Sequence, residues 1–98
     1  MRLSQQQASI ITTLAKDIFG TDAVIKLFGS RADDSKRGGD IDLFIELQQP
    51  FEQPVMASAR LEAKLIQALG LQKIDVIVSA PNLAKTPIHD IAAQGIRL

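Results

Sequence analysis

The chain has no cysteine, tryptophan or tyrosine, and four phenylalanines are its whole aromatic content. Without cysteine there is neither a disulfide framework nor a thiolate metal site, which agrees with a reducing compartment. An excess of one charge is also missing: 11 Lys and Arg cancel 11 Asp and Glu. No basic stripe tracks along the sequence, so direct nucleic-acid binding is not expected. Long apolar runs are absent too. The opening MRLSQQQASIITTLAKDIF does not read as a signal peptide, and no segment approaches the length of a membrane span. The expectation is a cytoplasmic protein with no membrane partner. At 98 residues the chain is expected to form one domain over 1–98. Hydrophobic residues at 46% and charged residues at 22% exclude disorder and coiled coil.

What is present is concentrated between Leu27 and Glu46, LFGSRADDSKRGGDIDLFIE. This reads as a strand end, a Gly-Ser turn, a polar loop, and a strand opening on two aspartates. Side chains alternate along a strand, so Ile41, Leu43 and Ile45 point to a core while Asp40, Asp42, Phe44 and Glu46 point the other way. Asp40 and Asp42 then stand about 6 to 7 Å apart, with no cation nearby in sequence to pair both. Asp weakens strands, and two in alternate positions ask for a use, of which a metal is one. Taken alone, the pair also fits a wet strand face, with Asp40 as a cap and Asp42 guarding an edge. Gly29 after a strand allows a sharp turn, and backbone N–H groups with the Ser30 hydroxyl can cradle phosphate oxygens. Arg31, Lys36 and Arg37 could reach such a phosphate or form a locally neutral loop with Asp33 and Asp34.

The remaining chain supplies scaffold. Ser4 and Gln7 have the spacing of a capping box, and Ala8, Ile11, Ala15 and Ile18 predict a helix over 4–19 that Gly20 stops. Residues 24–28 read as a strand. After Pro50 and Pro54, Ala57, Leu61, Leu65, Ala68 and Leu69 predict a helix over 55–69, ended by Gly70. Residues 73–78 form a β-branched strand with Ile74, Val76 and Val78 on one face and Asp75 on the other. Thr86 and Pro87 open a short last helix before Gly95, and Ile96-Arg97-Leu98 can add an edge strand. His89 reads as a solvent-facing residue in the first turn of that helix.

Gly29-Ser30 followed by Asp40-Ile41-Asp42-Leu43 resembles the signature of the polymerase-β-like nucleotidyltransferase superfamily, and the size and ending resemble its minimal nucleotidyltransferase branch. The resemblance implies an α+β fold, a small mixed sheet of three to four strands with helices packed on one face. It implies Asp40, Asp42 and Asp75 as catalytic residues and ligands of two magnesium ions, and Gly29, Ser30 and Arg31 as nucleotide-binding residues. Asp40 and Asp42 would bridge both ions, and Asp75 would bind the one that activates an acceptor hydroxyl. The loop departs from the family pattern, with Asp34 and Gly39 where a Gly and a Ser are usual.

Three carboxylates opposite a phosphate-binding turn fit two hard cations clamping an in-line phosphoryl displacement; the resemblance implies ATP as substrate and pyrophosphate as the leaving group. Such a short chain has little to spare for recognising an acceptor. Proteins like it are often antitoxins, paired in a hetero-oligomer with a small helical partner of the higher-eukaryote and prokaryote nucleotide-binding family. The expected function is AMP transfer to a hydroxyl of that partner, a tyrosine in some cases. Two other readings stand beside it: a module that neutralises its partner by binding alone, and a small α/β domain whose wet strand face carries aspartates for solubility.

Overall fold

The computed structural model describes residues 1–35 and 37–98. The elements run α1 (Gln5–Phe19), β1 (Val24–Phe28), β2 (Ile41–Glu46), α2 (Pro54–Leu69), β3 (Ile74–Ser79), α3 (Pro87–Ala92) and β4 (Ile96–Arg97). A single turn of 3₁₀ helix, Gly29–Ala32, follows β1 directly.

Local chemistry accounts for most of these bounds. The Ser4 Oγ accepts the Gln7 N–H at 3.0 Å while the Gln7 side chain accepts the Ser4 N–H, so the capping box is closed in both directions. Gly20 and Gly70 end α1 and α2, each donating its N–H back to the helix at 2.9 Å. α2 begins one residue earlier than the periodicity predicts, because Pro54 occupies its first turn after Gln53 in a left-handed conformation. β3 is shifted by one residue to Ile74–Ser79, and Asp40 lies just ahead of β2 rather than within it.

The sheet has the order β3-β2-β1-β4. β1 is antiparallel to both β2 and β4, whereas β2 and β3 run parallel, with α2 as the crossover between them. The fold is thus α+β around a mixed four-stranded sheet. α1 and α2 cover one face: Ile11 and Ala15 from α1 and Leu61 and Leu65 from α2 are fully buried with Leu27, Ile41, Leu43 and Ile45. The core alternation expected of β2 is the one observed.

The opposite face is not simply wet. Phe44 is buried there with Phe28 beneath Ala92, so the short α3 closes a second, smaller apolar cluster on the face that carries the aspartates. Lys26 fixes α3 from below, donating to the Ala93 carbonyl at 2.9 Å while pairing with Glu46 at 2.7 Å. His89 is half-buried rather than solvent-facing. Its Nδ1 accepts the Thr86 N–H at 3.0 Å, as a Glu would in a capping box, and its Nε2 meets the Val78 carbonyl at 3.1 Å. The tautomer with the proton on Nε2 satisfies both, and the ring stands edge-on to Phe44. Among the described residues, no helix is long and apolar enough to cross a membrane.

Candidate active site

The parallel pairing of β2 with β3 decides the geometry. Its register sets Asp42 directly beside Asp75, although 32 residues separate them in sequence. Asp42 also faces Phe28 across the antiparallel pairing with β1, one residue before the Gly-Ser turn. The three segments that carry site candidates therefore meet at one end of the sheet.

Gly29 has φ of +76°, and a Cβ built on it would overlap the Asp42 carboxylate. Glycine is required twice over, once by the left-handed backbone and once by the proximity of the carboxylate. A second close approach was not foreseen from the loop composition: Gly38, φ +140°, would place a Cβ 2.7 Å from the Ser30 Oγ. The end of the loop thus passes directly over the Ser30 hydroxyl.

Asp42 is held above the ordinary carboxylate range. Partial burial is the largest cause, followed by the charge of Asp75, a hydrogen bond with the Asp75 side chain, and the charge of Asp40; Lys73 acts in the other direction. The partly buried Asp42 stands beside the exposed Asp75, a like-charged pair that gains from a cation.

Asp40 is placed differently. Its Oδ2 lies 3.7 Å from Lys73 Nζ, both groups being exposed, so a cation distant in sequence stands beside it in space. Among the described residues, no three acidic, histidine or cysteine side chains are gathered around one point. The structure therefore brings Asp42 and Asp75 together and leaves Asp40 engaged by Lys73. Hard carboxylate oxygens with unbalanced negative charge are the donor set that magnesium takes, so the residues present fit that ion.

Arg31 lies within the Gly-Ser turn, but its guanidinium is directed to the protein. Nε donates to the Gly39 carbonyl at 3.1 Å, Nη1 to the Arg2 carbonyl at 2.9 Å, and Nη2 to Gln72 Oε1 at 3.4 Å. Arg2 returns the contact, its N–H donating to the Arg31 carbonyl at 2.8 Å and its Nη2 to the Ser30 carbonyl at 3.0 Å. Arg37 is exposed in the loop. The expectation for Lys36 lies outside the described residues. Sequence reasoning missed Arg2, Gln72 and Lys73, whose roles arise from contacts between segments far apart in the chain, and Gly38, which packs on Ser30 within the same loop. His89 is committed to α3 and β3, away from the carboxylates.

A groove of about 560 Å³ runs along the outer edge of β3, between α2 and the 80–86 connection, lined in part by Val55, Ala59, Ile77 and Leu83. Its lining is mostly apolar, with Glu62 and His89 among it, and includes none of Asp40, Asp42 and Asp75, so it is separate from the candidate site.

A family model described as a nucleotidyltransferase domain matches residues 9–95. No curated protein matches the chain.

Proposed function

Since the chain belongs to the nucleotidyltransferase domain family, we propose that it transfers AMP from ATP to a hydroxyl of a small helical partner protein, as the antitoxin of a toxin–antitoxin pair. The observation that carries the reading is the juxtaposition of Asp42 with Asp75 beside a turn whose Gly29 admits no side chain. In this reading Gly29 and Ser30 hold the terminal phosphates, which leaves the α-phosphorus facing the carboxylates. Asp40, Asp42 and Asp75 are the residues that would hold magnesium. Bound there, two ions would supply charge neutralisation and a lowered acceptor pKa.

The acceptor oxygen forms a bond to the α-phosphorus as the bond to pyrophosphate breaks. Its proton passes to Asp75 or to solvent. A protein acceptor is supported by exposed apolar side chains that a docking partner could cover, among them Val55 at 81%, Met56 at 63% and Ile91 at 62% exposure.

The Lys73–Asp40 contact favours a second reading, in which the chain neutralises its partner by binding without transfer. One experiment separates them. The chain and its Asp42→Asn variant are incubated in host lysate with magnesium and ATP labelled at the α or the γ phosphate. Transfer of α label alone, lost in the variant, is the expected result. Absence of α transfer, with a partner captured equally by both proteins, supports neutralisation by binding and overturns the catalytic reading.

A further inference from the structure

We infer that Arg31 is a positioning residue that holds the three site-bearing segments in mutual register, and that its guanidinium does not serve as a phosphate ligand. The inference rests on Asp42 and Asp75 being metal ligands. Each acceptor of Arg31 belongs to a different stretch. Gly39, accepting from Nε, immediately precedes Asp40 and β2. Gln72, accepting from Nη2, lies in the connection between α2 and β3, three residues before Asp75. Arg31 itself sits in the turn that carries Gly29 and Ser30, and its Nη1 bond to Arg2 fixes the segment that in turn donates to the Ser30 carbonyl.

Gln72 is itself held, its Nε2 donating to the Leu69 carbonyl at 3.3 Å, so the contact ends on α2 and not on a free loop. Just beyond the hub, the first bond of the β2–β3 junction joins the Ile41 N–H to the Lys73 carbonyl at 3.0 Å. A planar guanidinium can serve three acceptors in fixed directions, which a lysine ammonium on a flexible stem cannot reproduce. The three acceptors, two backbone carbonyls and the Gln72 side-chain amide, are uncharged, so the bonds orient these groups and leave the arginine charge unneutralised by them.

Charge and position predict different outcomes. Removing a positive charge from the turn that carries Gly29 and Ser30 should leave a metal ion unchanged or tighten it if charge is all that Arg31 contributes. Loss of the bracket should weaken it, because supports around metal ligands typically contribute about 10–100-fold in affinity. The test titrates Mn²⁺ without nucleotide, followed by electron paramagnetic resonance, into the full chain and into Arg31→Met, Arg31→Lys and Gln72→Leu. Hydrogen exchange is measured on the same proteins.

Arg31→Met is expected to weaken Mn²⁺ about tenfold or more. Arg31→Lys should follow it, and Gln72→Leu should move in the same direction by less. In all three variants the Ile41 amide should exchange faster, while amides in the middle of α1 keep wild-type protection. Tighter or unchanged Mn²⁺ in Arg31→Met, with wild-type exchange at Ile41, overturns the inference. If wild type itself binds no Mn²⁺, the metal reading of the carboxylates fails, and exchange at Ile41 alone decides the role of Arg31.

Discussion

Replacing Gly29 with alanine tests the site at its tightest contact. The backbone there has φ of +76°, a left-handed conformation that costs an L-residue about 1–2 kcal/mol. For a domain of this size each kcal/mol lowers the melting temperature by roughly 4–8 °C, so the conformational part alone predicts a fall of about 4–16 °C. The added Cβ would also overlap the Asp42 carboxylate, and one of the two must move. If Asp42 rotates away, it leaves Asp75; if the backbone yields, Ser30 and the turn shift. Either displacement approaches 1 Å, which at a reacting centre can cost about 100-fold in rate. Gly20→Ala is the matched control. It has φ of +114° and nothing within 4 Å of a built Cβ, so it incurs the backbone strain, about 1–3 kcal/mol, without disturbing the carboxylates. The assay pairs thermal melts with α-phosphate transfer on both variants. Wild-type turnover in Gly29→Ala, or an equal loss of turnover in Gly20→Ala, would refute the reasoning.

Asp42→Asn should be more resistant to urea than wild type at pH 7 without magnesium. The folded state raises the Asp42 pKa through burial and the charge of Asp75, so wild type loses stability as pH rises from the unfolded value of 3.8 through the folded one, and asparagine avoids that loss. The variant's advantage should vanish below pH 3.8, and saturating magnesium should reverse the order at pH 7 by stabilising wild type alone; an equal or lower midpoint for the variant at pH 7 without magnesium contradicts the argument. Phe44→Ala should cost about 3–5 kcal/mol in urea denaturation, because the ring is buried at 2% exposure under α3. A loss below about 1 kcal/mol would show that α3 contributes little to the face that carries Asp42.

Much of this molecule was legible because its signals are local. Ser4 with Gln7 closes the cap that their spacing predicts, Gly20 and Gly70 stop their helices, and the alternation in β2 buries Ile41, Leu43 and Ile45. The grouping of Asp42 with Asp75 was implied by the resemblance to the family's carboxylate pattern, whereas the strand assignments alone left open the parallel register that sets them side by side. What could not be read depends on segments that meet only after folding. Lys73 lies more than thirty residues from Asp40 yet stands beside it, and the acceptors of Arg31 come from three separate stretches. Phe44 was correctly placed on the aspartate face, but nothing in its neighbourhood announced that α3 would cover it. His89 illustrates the same limit: a capping box is normally read from Glu or Gln, so an imidazole in that role leaves no familiar pattern.

The parallel ladder between β2 and β3 makes the partnership of Asp42 and Asp75 independent of chain length. A longer α2, or an extra loop after Glu46, would return the second carboxylate to the same address provided β3 enters the sheet in the same register. A slip of a single residue in that entry would set a neighbour of Asp75 beside Asp42 and swing Asp75 to the α1–α2 side, among the aliphatic side chains. The segment between the two carboxylates is therefore open to elaboration in length and shape, while the point at which it rejoins the sheet is not.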